Sequence, residues 1–292
     1  MKWLAIANPA AGRAREADRV LNRLSGLQDV QVDIVRTAAP GDASRIARES
    51  SAFDGVIAIG GDGTIAEVLQ GIDLSRQHLA VLPAGHGNCL ARDLGVADPA
   101  RALEALRRGA CRPLDLMDVS VAYVDGRHDR RLCASTLAIG YVADVVTFGR
   151  LRLHMLGRAA YAAAAMVVVP EEFEARVAGA SDPHRPRHYT GLVINNTAHL
   201  ANFRGFPDAS VHDGMLDVME QGHRWPRQLL HNLAVLAGSP SFGPLRLRQA
   251  PSETLEFLEA RTLMADGELL HGVARVAVEC RHAAAMCVVG SE

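Results

Sequence analysis

The chain has 292 residues, 49% of them hydrophobic, and a formal net charge of -2. That length favours two domains over one and leaves room for a sizeable core. Near-neutral charge and ordinary apolar content exclude a disordered chain and a strongly basic nucleic-acid binder, so no nucleic acid is expected as a partner.

The five cysteines include no C-x-x-C, which indicates neither a disulfide framework nor a zinc ribbon and fits a reducing, cytoplasmic setting. The opening apolar run ends at Asn8-Pro9, too short for a secretory h-region. Lys2 is the only lysine, so neither a Walker A lysine nor a Schiff-base lysine exists downstream. Phosphate must be met by arginine, backbone amides or metal.

From the N-terminus, WLAIA (3–7) reads as a strand followed by a helix through Leu24. VQVDIVRT (30–37) then precedes a helix around Ala43 to Glu49. VIAIG (56–60) and LAVLP (79–83) repeat the pattern, each run reading as a buried parallel strand and each following segment as a covering helix. Residues 1–116 are therefore expected to form an α/β nucleotide-binding domain with a parallel sheet.

Beyond a helix at 100–109, Pro113 opens a different regime. EFEARV (172–177) and PLRLRQ (244–249) alternate apolar and charged residues, as antiparallel strands with one wet face do. Residues 117–292 are expected to form a β-rich, sandwich-like domain, interrupted by helices near 151–168 and 226–237. SDPHRPRH (181–188) reads as a turn or exposed loop. MLGRAAYAAAAMVVV (155–169) is rich in alanine and contains Arg158, which favours a packed amphipathic helix over a membrane span. The alternatives are part of an acyl-chain pocket or a membrane-facing surface, with Arg150, Arg152 and Arg158 able to meet anionic headgroups. His199, His212, His223 and His231 lack clustered ligand spacing and read as surface or packing residues.

The chemistry is concentrated in Gly60-Gly61-Asp62-Gly63-Thr64, between a strand and a helix. Such loops let backbone and helix N–H groups approach phosphate, whereas the plain alternative is a tight turn with a surface aspartate. Thr64-x-x-Glu67 matches a capping box and is expected to fix the helix start. Asn8 to Arg13 and Pro83 to Asn88 also follow parallel strands, so three loops should gather at one sheet edge. There Arg13 can neutralise phosphate, and Asn8 and Asn88 can hydrogen-bond it or the base. An acid among phosphates makes sense if Asp62 holds Mg²⁺ or takes a proton from an attacking hydroxyl.

GGDGTIAEVLQG (60–71), followed by LPAGHGNCLARDLG (82–95), resembles the catalytic-domain pattern of the diacylglycerol kinase superfamily, which includes bacterial lipid kinases, sphingosine kinases and ceramide kinase. Asn8-Pro9 with Gly12, SVHDGMLDV (210–218) and MADGELL (264–270) continue the resemblance in order. It implies an α/β nucleotide domain followed by a β-rich lipid domain, with C-terminal residues able to return to the first. It implies ATP and Mg²⁺, with Gly60, Gly61, Asp62, Gly63, Thr64, Ile65, Ala66, Glu67 and Gly85 around the nucleotide, and Thr37 and His86 flanking it. Asp62 would join the metal and catalytic network. Glu268 would be the general base, with Asp62 the alternative. Ser210, Asp213 and Met215 would form a structural site for Mg²⁺ or Ca²⁺.

One stretch departs from the pattern. Many members have G-T-x-N-D where this chain has Gly85-His86-Gly87-Asn88-Cys89, and a thiol replaces a hard carboxylate poorly for Mg²⁺. The expected function is an ATP-dependent kinase of a lipid alcohol, diacylglycerol or a related or sphingoid one, cytoplasmic and in transient peripheral contact with membrane; a homodimer is compatible with it. The alternatives are a kinase of a soluble alcohol, NAD-kinase-like, and a regulator that binds nucleotide or lipid without turnover.

Overall fold

Four apolar runs in the first part of the chain form β1 (Lys2–Ala7), β2 (Gln31–Arg36), β3 (Gly55–Gly60) and β4 (His78–Pro83), all parallel and ordered β4-β3-β1-β2. In this computed structural model the described residues are 1–9, 14–27, 29–85, 87–153, 155, 159–178, 184–200, 203–236 and 245–290. Between and after these strands run α1 (Ala14–Ser25), α2 (Asp42–Arg48), α3 (Asp62–Leu69), α4 (Cys89–Asp93) and α5 (Pro99–Arg108). Helix α5 has clear ends: the Asp98 carboxylate accepts from the amides of Ala100 and Arg101, Pro99 begins the first turn, and Gly109 closes the helix at φ +65°.

β1, β3 and β4 are buried as expected, but β2 is not. It is an edge strand with β1 on one side, and Ile34 and Val35 are each 37% exposed. An apolar run marks strand character without revealing whether both faces are covered.

The second part contributes β5 (Cys111–Tyr123), β6 (His128–Cys133), β7 (Thr136–Gly140), α6 (Tyr141–Arg152), α7 (Ala160–Val167), β8 (Phe173–Val177), β9 (Arg187–Tyr189) and β10 (Gly191–Asn195). A small hairpin of β11 (His199–Leu200) and β12 (Phe203–Arg204) follows. After it come β13 (Leu216–Gln221), α8 (Arg227–Leu236), β14 (Leu245–Ala250), β15 (Ser252–Ala265) and β16 (Glu268–Val288). Pairing within this part is antiparallel. The period-2 reading holds on β8, whose Phe173, Ala175 and Val177 are buried between half-buried neighbours.

β16 joins the two parts. It pairs with β15 and β5, and then Met286 and Cys287 run parallel to His78 and Leu79 of β4. Among the described residues fourteen strands thus form one continuous sheet. Its apolar faces fill separate cores. The first holds β1, β3, β4 and Leu114 and Leu116 of β5, together with Cys287 and Val288; the second begins at Met117 and takes Val119, Val121, Leu192, Ile194 and Val276. Neighbouring residues of one strand divide between cores because side chains alternate across the sheet: Ile194 enters the second core, while Val193 enters a third beside Ala138, Phe206 and Met219.

Candidate active site

The loops after β3 and β4 meet backbone to backbone. A Cβ on Gly85 would lie 2.4 Å from the Gly61 Cα, and one on Gly61 would lie 3.1 Å from the Gly85 Cα. Glycine at both positions is what permits this contact. Gly60 is equally constrained, since a Cβ there would fall 2.2 Å from Thr64 Oγ1. Thr64 is buried beneath the loop, where its hydroxyl accepts from Asn8 Nδ2 at 3.3 Å and links the end of β1 to α3. Gly63 is exposed, with nothing within 4 Å of the place a side chain would occupy. The first turn of α3 therefore opens onto free space at the strand ends, where orphan helix amides suit an anion.

The capping-box expectation is corrected. Helix α3 begins at Asp62 with Gly61 as its cap residue and no side-chain cap, so Thr64 already lies inside the first turn. Glu67 reaches away, accepting from the amides of Gly41 (3.1 Å) and Ala43 (3.3 Å) at the start of α2. Its carboxylate ties the last turn of α3 to the start of α2. Ile65 is buried and Ala66 half-buried in the same helix. Thr37 continues the β1–β2 pairing, its amide donating to the Ala7 carbonyl at 2.9 Å and its hydroxyl at 3.5 Å. Gly12, Arg13 and His86 lie outside the described residues.

Asp62 has a local structural task. Its Oδ1 accepts from the Cys89 amide at 2.8 Å, at the first residue of α4. Helix α4 has no cap of its own, because Asn88 takes a left-handed conformation (φ +51°) and turns its side chain back to Gly85. There Asn88 Oδ1 accepts from the Gly85 amide at 3.1 Å and its Nδ2 donates to the Gly85 carbonyl at 3.0 Å. Asp62 thus caps α4 from another loop. Burial raises its carboxyl pKa, and the amides of Cys89, Leu90 and Asn88 counter part of that rise.

The D-G-E turn is tied to the segment between β6 and β7. Asp266, at φ +46°, is buried and accepts from the amides of Ala134 (2.7 Å), Ser135 (3.0 Å) and Thr136 (2.9 Å). Burial pushes its carboxyl up to about 6 against those amides, and the charge of Asp62 adds to the rise. Glu268, two residues on, points outward with its side chain 67% exposed, and its Oε2 accepts from Arg131 Nη1 at 2.7 Å. Arg131 also pairs with Asp129. Tyr123, Arg127, His128, Asp129, Arg131 and Glu268 line an open cleft of about 450 Å³.

Sequence reasoning missed several of these groups. Gln70, at the end of α3, forms a two-bond clip on β6: its Nε2 donates to the Leu132 carbonyl at 2.7 Å and its Oε1 accepts from the Leu132 amide at 3.1 Å. Asp115 is fully buried and accepts from the amides of Gly214 (2.6 Å) and Ala283 (2.7 Å), with His282 Nδ1 at 2.9 Å. An acid within the apolar run PLDLMDV was a signal, since a buried carboxylate requires donors. His199 does more than pack: its Nδ1 lies 2.5 Å from Asp93 Oδ1, while Asp93 Oδ2 accepts from the Ala198 amide, linking α4 to the approach to β11.

Ser210, Asp213 and Met215 are together in one turn. Ser210 Oγ accepts from the His212 amide at 3.3 Å, and Asp213 Oδ1 accepts from the Met215 amide at 3.0 Å. Asp213 is exposed, so its carboxylate can offer hard oxygen to Mg²⁺ or Ca²⁺. Among the described residues no three His, Cys, Asp or Glu side chains group as an all-side-chain metal cage. Mg²⁺ held by one or two carboxylates with nucleotide phosphates needs no such cage, and the Asp62 carboxylate has the hard oxygens that such a role requires.

A family profile described as the diacylglycerol kinase catalytic domain matches residues 2–119. The chain is 31% identical over 242 residues to a Pseudomonas aeruginosa (strain UCBPP-PA14) protein named "Probable lipid kinase YegS-like", spanning 80% of this chain and 76% of that one. The chain belongs to the diacylglycerol kinase family. It is also 29% identical over 227 residues to the diacylglycerol kinase of Bacillus subtilis (strain 168), covering 73% of this chain and 71% of the relative. The fold of this diacylglycerol kinase family member matches the crystal structure of a diacylglycerol kinase from Bacillus anthracis str. Sterne with a TM-score of 0.75 at 20% identity, over 99% and 97% of the two chains. Against that family's G-T-x-N-D stretch, Cys89 contributes its backbone amide to Asp62 from the position of the missing acid.

Proposed function

We propose that the protein is an ATP- and Mg²⁺-dependent lipid kinase that phosphorylates the hydroxyl of diacylglycerol or a related lipid alcohol. The observation that carries this reading is a pair of tethers to one segment: Gln70, at the end of the glycine-loop helix, bonds Leu132, and Asp266 of the D-G-E turn accepts from Ala134, Ser135 and Thr136 just beyond it. When bound, ATP supplies the phosphoryl group and Mg²⁺ offsets the charge on its oxygens.

Residues 1–116, joined by the C-terminal end of β16, act as the nucleotide domain and the rest of 117–292 as the lipid domain. The stacked loops at Gly61 and Gly85, with Asn8 and Thr64 bracing them, present backbone rather than side chains to the phosphates. Arg13 and His86 belong to the same ring of loops in the sequence reading. Asp62 holds oxygen donors beside the phosphates while keeping α4 in place. Glu268 takes the proton from the acceptor hydroxyl at a carboxylate oxygen, and Arg131 orients it for that task. Asp213, with the Ser210 and Met215 carbonyls, holds a structural cation away from the reaction.

The enzyme works from the cytoplasm, as a monomer or homodimer, by transient contact with membrane. No helix among the described residues is long and apolar enough to cross a bilayer, which is compatible with that peripheral mode. The test is to incubate purified protein with γ-labelled ATP and Mg²⁺, in parallel with a lipid extract and with a pool of soluble metabolites. Label entering a new phospholipid supports the proposal. Label entering only soluble products favours a soluble-alcohol kinase, and tight binding of ATP without transfer favours a regulator.

A further inference from the structure

Helices α6, α7 and α8 form one plate. Tyr141 Oη donates to the Ala165 carbonyl at 2.6 Å, and Asn232 Nδ2 donates at 2.6 Å to both that carbonyl and the Tyr141 oxygen. One bond triad therefore ties a residue from each helix, and their outer faces form a shared surface.

That surface reverses ordinary amphipathicity. Helix α7 buries the small Ala160 and Ala164 and turns Tyr161 outward, and Val167 is 57% exposed at its end. Helix α6 exposes Phe148 and Leu151 at one-turn spacing, and Met155, beyond the helix, is 90% exposed. Helix α8 buries Gln228 and His231 and exposes Leu230 and Leu233. A packed helix meeting water shows the opposite arrangement.

The surrounding groups identify the medium. Trp225, just ahead of α8, is 38% exposed, and Arg152 and Arg227 are exposed at the helix ends. Arg224 pairs with Glu172 alongside. Aromatic rings with a polar edge, aliphatic side chains and guanidinium groups at the margin match a bilayer interface with anionic headgroups. A second copy of the chain would bury the aliphatic groups but leaves the arginine margin without a reason.

We infer that the outer face of α6, α7 and α8 docks on an anionic phospholipid bilayer, so that a membrane-embedded acceptor reaches the catalytic cleft without leaving the lipid phase. This rests on the lipid-kinase reading above and gives its membrane contact a location.

The probe is a vesicle of phosphatidylcholine with or without phosphatidylglycerol. The variants are Leu151→Glu with Met155→Glu on one plate edge and Leu230→Glu with Leu233→Glu on the other. All four positions are exposed, so circular dichroism and melting should match the parent. The expected result is preferential sedimentation of the parent with anionic vesicles, weakened about tenfold or more in either double variant. Turnover of a short-chain, water-soluble diacylglycerol should stay at the parent level. Undiminished vesicle binding by both variants would overturn the inference, as would a parent that ignores anionic vesicles or a dimer that the substitutions convert to monomer. If the short-chain acceptor is phosphorylated while docking is unaffected by the variants, the docking face is wrong and the kinase reading stands. If docking behaves as expected but neither acceptor is phosphorylated, the kinase reading is the part that fails.

Discussion

Arg131 Nη1 donates to Glu268 Oε2 at 2.7 Å, and this pairing gives the exposed carboxylate a defined direction. If Glu268 is the base, Glu268→Gln should abolish phosphate transfer with an unchanged melting temperature. Arg131→Gln should lower kcat by about ten- to a hundredfold with KM little changed, because the guanidinium holds the carboxylate in its working direction. Arg131→Lys should recover part of the lost kcat. An unaltered kcat in Arg131→Gln would separate the arginine from the chemistry.

Asp62 caps α4 and is also proposed to face the phosphates, and two substitutions divide these tasks. Asp62→Asn retains an oxygen for the Cys89 amide, so stability should remain near the parent while transfer is lost. Asp62→Ala should additionally lose about 1 kcal/mol, the usual cost of a missing cap. Urea denaturation alongside the kinase assay reads both. A fully active Asp62→Asn would remove Asp62 from the chemistry and leave it only as a cap.

The stacked glycines predict a steric effect on nucleotide binding. A methyl group at Gly85 would sit 2.4 Å from the Gly61 Cα, so Gly85→Ala must push the β3 and β4 loops apart. The expected cost is about 1–3 kcal/mol of stability, with weakened ATP binding by calorimetry. Gly63→Ala, with open space around it, should leave stability close to the parent.

Asp266 makes stability depend on pH. Its folded pKa of about 6 lies above the ordinary value of 3.8, so the native state binds the proton more tightly than the unfolded chain does. Its stabilising contribution is complete below pH ~4 and is lost as pH rises through about 6, by up to about 3 kcal/mol. Asp217 is likewise raised to about 6 by burial, aided by Asp213 and Asp208, and contributes with the same sign. Denaturation from pH 4 to 7 should show the falling slope, and Asp266→Asn should flatten it apart from any uniform loss. An identical slope in that variant would assign the effect elsewhere.

The alternation of strand and helix over the first hundred residues was readable because each buried strand is a short apolar run closed by glycine or proline. Parallel pairing then brings the ends of β1, β3 and β4 to one edge, so the meeting of the glycine loops also followed from sequence. Local spacing failed where a side chain serves a distant partner. Glu67 matched a capping box but caps α2, and Asp62 caps α4. The Gln70 clip on Leu132 and the Asp115 contacts with Gly214 and Ala283 join segments far apart in sequence, and no periodicity encodes such partners. For the segment of α6 and α7 the sequence left a packed helix, an acyl-chain pocket and a membrane-facing surface all open, since composition reports that a helix is apolar and not which medium its apolar face meets.

On the proposed mechanism the glycine loops and the D-G-E turn act on one terminal phosphate. The most direct measurement is a crystal structure with a non-hydrolysable ATP analogue, Mg²⁺ and a short-chain diacylglycerol. The triphosphate should lie against Gly61, Gly63 and Gly85, with a Glu268 carboxylate oxygen within direct or one-water hydrogen-bond reach of the acceptor hydroxyl. A nucleotide bound away from those loops, or Glu268 still turned to solvent with the acceptor in place, would contradict it.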